Sequence, residues 1–82
     1  MIDVYFYGTL KELLKHSHLK IDAKSVKDLI KNIESNTGVK CQKELMNALT
    51  FVNEVNFLSL KRYKTPLSKG DKVAFLSPAS GG

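Results

Sequence analysis

Val26, Leu29, Ile30 and Ile33 fall at positions i, i+3, i+4 and i+7. That spacing places four apolar side chains along one stripe of an α-helix. The opposite side carries Lys27, Asp28, Lys31, Asn32 and Glu34, so this is the clearest amphipathic helix in the chain. Its ends are also written in the sequence. Ser25-Val26-Lys27-Asp28 resembles a capping box with Asp in place of Glu, and Asn36-Thr37-Gly38 is a stop signal. An apolar stripe must be covered by another layer. With 82 residues there is room for one small domain, so that layer has to come from the same short sequence.

The alternating segments supply it. Ile2-Asp3-Val4-Tyr5-Phe6-Tyr7 puts Ile2, Val4 and Phe6 on one side, and Lys72-Val73-Ala74-Phe75-Leu76 does the same with Val73 and Phe75. Between them lie a brief segment at Leu19-Lys20-Ile21-Asp22 and two short strand candidates, Thr50–Asn53 and Asn56–Leu60. Thr9-Leu10-Lys11-Glu12 has the form of a capping box, followed by a short helix ending near His16. A second short helix is expected within Lys43–Leu49. The order β, short α, β, α, α, β, β, β predicts an α+β fold, a mixed sheet with one main amphipathic helix packed on one face. The first and last strands are the most apolar and form the expected central pair. The other sheet face then carries Tyr5, Tyr7, Ala74 and Leu76, too apolar for a fully solvated surface, and is expected to be a partner-binding patch.

Composition narrows the function classes. The formal net charge is +5, from 13 basic and 8 acidic residues, but the basic residues are dispersed and only Arg62 is an arginine. A nucleic-acid interface needs charges gathered on one face, so a lysine-rich solvated surface is the expectation, with no nucleic-acid partner. There is no apolar run of about 18 residues and no leader-like start, which predicts no membrane span and no signal peptide. The lone Cys41 forms no disulfide framework and suits a reducing cytoplasm; a small buried thiol is its expected role. His16 and His18 read as solvated turn residues. No metal-ligand cluster, phosphate loop or paired-carboxylate motif is present, so no metal or bound cofactor is expected and the body reads as a scaffold.

That leaves the last residues, Ser77-Pro78-Ala79-Ser80-Gly81-Gly82. The domain is expected to span 1–76, with 77–82 as a flexible, extended tail. Six residues reach about 20 Å at roughly 3.3–3.6 Å each, enough to enter a partner's pocket while the body stays outside. A carboxylate is a poor electrophile. Transfer of AMP from ATP would make it an acyl donor, and a sulfur nucleophile could then replace AMP to give a thiocarboxylate. Glycine suits both final positions, because a Cβ would crowd the acyl carbon and glycine reaches backbone angles closed to other residues.

These residues carry a family resemblance. Gly70-Asp71-Lys72-Val73-Ala74-Phe75-Leu76-Ser77-Pro78-Ala79-Ser80-Gly81-Gly82 resembles the C-terminal signature of the small subunit of molybdopterin synthase (the MoaD family), within a superfamily of ubiquitin-like sulfur carriers. Val4-Tyr5-Phe6-Tyr7-Gly8-Thr9-Leu10-Lys11-Glu12-Leu13 looks like that family's first strand and helix, and Val52-Asn53 stands where it has a V-N pair. Ser77 replaces the usual first proline, and Lys11 a frequent arginine.

The resemblance implies a ubiquitin-like β-grasp fold. It implies that an E1-like adenylyltransferase activates Gly82 with ATP, that the end becomes a thiocarboxylate, and that its sulfur passes to cyclic pyranopterin monophosphate in molybdenum cofactor synthesis. The implied partner is the large subunit of the synthase, in a heterotetramer. Gly81 and Gly82 would carry the chemistry. Tyr7 and Leu76 match apolar interface positions, a third contact falls in Asn56-Phe57-Leu58, and Pro78, Ala79 and Ser80 would line the partner's channel. A sulfur carrier for thiamine's thiazole or another thiolation pathway is the second reading. A conjugating modifier and a non-reactive β-grasp binding module are the others.

Overall fold

The computed structural model describes residues 1–77. Five strands form one sheet in the order β2-β1-β5-β3-β4. β1 (Ile2–Tyr7) and β5 (Lys72–Leu76) run parallel at its centre. β2 (His18–Ile21) pairs antiparallel with β1, and β3 (Leu49–Val52) with β5. β4 (Val55–Asn56) closes the far edge. The expected central pair is therefore present. The parallel register Val4↔Val73 and Phe6↔Phe75 puts the inward residues of both strands side by side, all fully buried.

The helix α2 (Val26–Thr37) lays Val26, Leu29, Ile30 and Ile33 on that inward face, and all four are buried. At its start the Ser25 hydroxyl accepts from the Asp28 N–H at 3.1 Å, while the Asp28 carboxylate accepts from the Lys24 N–H at 2.9 Å. This is a capping box whose return bond lands one residue before the cap. At its end Gly38 takes φ 74 and its N–H donates to the Glu34 carbonyl. Gly38 thus closes the helix in the left-handed conformation that glycine tolerates best.

Several local expectations change. Helix α1 (Thr9–Leu14) starts one residue early for the expected box: Gly8 holds the cap position, and Thr9 is already helical with no side-chain cap. The helix stops at Leu14, with Lys15 at φ 59. The second short helix, α3, covers Gln42–Met46. Its first amides are capped from α2, since the Glu34 carboxylate accepts from the N–H groups of Cys41 and Gln42 at 2.7 and 2.9 Å.

The strand expected over Asn56–Leu60 exists only as far as Asn56. The Asn56 side chain accepts from the Leu58 N–H at 2.9 Å and turns the chain into a 3-10 turn over Phe57–Ser59. Phe57 then enters the core, edge-on to Tyr63 at 5.1 Å between ring centroids. Among the described residues no helix is long and apolar enough to cross a membrane.

Candidate docking face and tail root

The period-2 alternation that buries one sheet face opens the other. The strand registers arrange this open face in three rows. The first holds Lys20, Asp3 and Lys72, and is charged. The second crosses the sheet as His18, Tyr5, Ala74 and Phe51. The third is Tyr7, Leu76 and Leu49, a row that carries no charge and whose only polar side-chain atom is the Tyr7 hydroxyl. Tyr7 is 50% exposed and Leu49 48%, and Leu76 lies half-buried between them. The polarity of the face therefore falls from one end of the strands to the other, and the apolar end is the end at which β5 leaves the sheet. A shallow concavity of about 460 Å³ in the middle of the face is lined by Tyr5, Tyr7, Phe51, Glu54, Lys72 and Ala74.

Of the interface residues expected from sequence, Tyr7 and Leu76 are brought together as direct neighbours across β1 and β5. Phe57 is a correction. At 6% exposure its ring is part of the core, because the 3-10 turn rotates it inward, and it is not offered to a partner by this surface. Leu58 is exposed on that same turn, beyond the β4 edge. Pro78, Ala79, Ser80, Gly81 and Gly82, with the extended tail assigned to them, lie outside the described residues.

Sequence reasoning missed three contributors to the face: Phe51, Leu49 and His18. His18 is a strand residue and not a turn residue. Its ring stacks on Tyr5 at 4.6 Å and its Nε2 hydrogen-bonds the Asp3 carboxylate at 2.9 Å. That bond holds the Asp3 carboxyl below its usual range, helped by the nearby Lys20 and Lys72 charges against a smaller cost of desolvation. The alternation at Leu19–Ile21 could have been extended back by one residue to find it. Cys41 is buried as expected. Burial, with the charges of Glu34 and Glu44, pushes its thiol up to about 11, so it carries no thiolate chemistry near neutral pH. Among the described residues no three His, Cys, Asp or Glu side chains gather to hold a metal ion.

The Val52-Asn53 pair also acquires a reason. Val52 is buried, and Asn53 and Glu54 form the two-residue turn between β3 and β4 with φ of 50 and 69. Such turns need positive φ at both positions, where asparagine is well tolerated. The Asn53 carboxamide accepts from the Lys72 N–H at 3.0 Å and donates to Asp71 at 3.1 Å, tying the turn to the start of β5.

At the other end of β5, one residue beyond the last paired position, the Ser77 hydroxyl accepts from the Thr9 N–H at 2.8 Å. It donates to the Tyr7 carbonyl at 3.3 Å. Gly8 lies between these partners at φ 67, and a Cβ there would sit 2.3 Å from the Ser77 oxygen.

A family model described as the ThiS family matches residues 4–82. The chain belongs to the ThiS family. It is thus a sulfur carrier or a ubiquitin-like modifier, and its fold is the β-grasp. Solved structures share that fold. The Amycolatopsis orientalis BexX/CysO complex matches with TM-score 0.86 at 16% identity, over 100% of both chains. Urm1 from Trypanosoma brucei matches with TM-score 0.74 at 26% identity, over 99% of this chain and 94% of that one. The complex of subunits 1 and 2 of the molybdopterin-converting factor from Helicobacter pylori matches with TM-score 0.67 at 25% identity, over 99% and 97%. Among proteins of curated function, none matches the sequence significantly.

Proposed function

We propose that this ThiS-family chain is the sulfur-carrying small subunit of a molybdopterin synthase. The observation that carries the reading is the apolar row Tyr7, Leu76 and Leu49 at the point where β5 runs out toward Gly81-Gly82. A large subunit docked on that row would receive the tail at its own surface. The 25% identity to subunit 1 or 2 of the Helicobacter pylori factor, across 99% of this chain, supports the choice of partner.

In this reading an E1-like enzyme binds the carrier and ATP. The Gly82 carboxylate attacks the α-phosphorus and pyrophosphate leaves. A hydrosulfide then attacks the acyl carbon, forming the C–S bond as the C–O bond to AMP breaks. A persulfide donor would do the same, with a thiol afterwards cleaving the S–S bond. The thiocarboxylate sulfur is the nucleophile delivered to cyclic pyranopterin monophosphate, and hydrolysis of the acyl link returns the Gly82 carboxylate. A dithiolene takes two sulfurs, so two carriers serve one product, which suits a heterotetramer. The body positions the tail.

The second reading is a carrier for another thiolation pathway or a protein modifier, and the ThiS-family match over residues 4–82 suits it equally. One experiment separates them. The chain is incubated with its E1-like enzyme and ATP, and intact mass is followed for addition of AMP and then exchange of oxygen for sulfur. The thiocarboxylate is then mixed with the pyranopterin precursor and the large subunit. Molybdopterin is the expected product. A thiocarboxylate that forms but gives none refutes the assigned pathway, and a chain that is never adenylated refutes the carrier role.

A further inference from the structure

Pairing between β1 and β5 ends at Tyr7↔Leu76. The next contact is made by a side chain. The Ser77 hydroxyl uses its proton on the Tyr7 carbonyl and a lone pair on the Thr9 N–H, so both of its hydrogen-bonding roles are directed at the turn from β1 into α1. That turn offers it an opening. Gly8 has no side chain, and the space a Cβ would take is the space the hydroxyl oxygen occupies. Helix α1 has no side-chain cap from its own cap residue. Its first amide is instead satisfied from a residue 68 positions away in sequence. A local cap would have served the helix alone, whereas this one ties the helix to the root of the tail.

We propose that Ser77 is a positioning residue, a hydroxyl clamp that fixes where the tail leaves the body relative to the apolar row of the docking face. The proposal rests on the sulfur-carrier reading. Five residues follow Ser77, a reach of about 17 Å when extended. With the hydroxyl bonds in place, the point at which the chain leaves the body is fixed beside Tyr7, Leu76 and Leu49. Without them that point of departure is less defined, and the effective concentration of the carboxylate at a docked partner's site falls. A proline at this position would restrict the same joint by another route, by fixing its own φ near −65°. Serine does it through the hydroxyl, and so needs glycine at position 8.

The test compares wild type with Ser77→Ala and Ser77→Thr in adenylation by the E1-like enzyme, with pyrophosphate release read as KM for the carrier and kcat separately. Amide hydrogen exchange at Thr9 is measured in the same proteins without any partner. Losing two exposed hydrogen bonds should raise KM about three- to tenfold in Ser77→Ala, leave kcat within about twofold, and speed Thr9 exchange several-fold. Ser77→Thr keeps the hydroxyl and should restore both. Unchanged KM in Ser77→Ala overturns the positioning role, and unchanged Thr9 exchange overturns the clamp itself. If wild type is not adenylated, the carrier reading fails and the positioning role with it, while Thr9 exchange still decides whether the clamp exists.

Discussion

Gly8→Ala separates the two demands that the tail root places on position 8. The first is conformational: φ 67 with ψ −140 is a region that glycine enters freely. Forcing a residue with a Cβ into so sparsely populated a region costs about 1–3 kcal/mol. The second is steric. The new Cβ would lie 2.3 Å from the Ser77 oxygen, so the hydroxyl must leave, and its bonds to Thr9 and Tyr7 go with it. Both bonds are exposed and water can replace them, so their joint loss costs about 1 kcal/mol, the low end for such pairs. The sum is about 2–4 kcal/mol, a large part of the roughly 4–12 kcal/mol expected for a domain of this size. Urea unfolding of four proteins measures it: wild type, Gly8→Ala, Ser77→Ala and the double variant. With alanine at 77 the clash disappears, because the nearest remaining side-chain atom of residue 77, its Cβ, is 3.7 Å away. Gly8→Ala should therefore cost about 1 kcal/mol less in the Ser77→Ala background than in wild type. An equal cost in both backgrounds would show that the hydroxyl does not occupy the space beside Gly8, and the steric half of the argument would be wrong.

The buried Thr50 hydroxyl has no hydrogen-bond partner among the described residues, in a strand position opposite Phe75. Thr50→Val keeps the shape and removes the desolvated group, so the urea midpoint should rise by the equivalent of about 1 kcal/mol; a fall would mean that the hydroxyl is satisfied. The Asp3 carboxyl, held low chiefly by its His18 bond, should titrate by NMR below the ordinary carboxylate range, and His18→Ala should move it upward. A folded-state pKa below the unfolded one stabilises the fold above the unfolded value, and that contribution is lost as pH falls through the folded value. Equal Asp3 titration in wild type and His18→Ala would dismiss the bond. Leu76→Glu places a charge in the middle of the apolar row, so titration calorimetry with the large subunit should show binding weakened about tenfold or more while the fold persists. Unchanged affinity would put the interface elsewhere.

How much of this was legible in the sequence depends on how local the cause is. The stripe Val26, Leu29, Ile30 and Ile33 and the alternations at Ile2, Val4, Phe6 and at Val73, Phe75 are periodic signals, and each buried side chain lies where its period puts it. The open face follows from the same periodicity, which is why Tyr7 and Leu76 could be placed together. The misreadings share a different cause. Thr9 and Glu12 have the spacing of a capping box, but β1 runs to Tyr7 and the chain must reverse at Gly8, so Thr9 is already inside the helix when a cap is needed. The residue that meets its amide is Ser77, and no window of local sequence contains both. Asn56-Phe57-Leu58 alternates like a strand, yet the Asn56 carboxamide captures the Leu58 amide and the alternation ends there. In both places a polar side chain satisfied a backbone group that the periodic reading had assigned to regular structure.

The site itself divides along the same line. In the proposed sulfur-carrier role, the C-terminal residues need three things from the domain behind them: a surface by which a partner grips it, an orientation on that surface, and a fixed point of departure. The apolar row Tyr7, Leu76 and Leu49 offers the grip. Orientation comes from the fall in polarity across the face, since a partner matched to the Lys20, Asp3 and Lys72 end would leave charges unpaired if turned around. The departure point is the Ser77 clamp over Gly8. Grip and orientation are properties of strand periodicity, which many sequences can satisfy. The clamp depends on two residues far apart in the chain, one of which must be glycine. Substitutions on the face should therefore change which partner is bound, while substitutions at 8 and 77 should change how well the tail is presented to whichever partner binds.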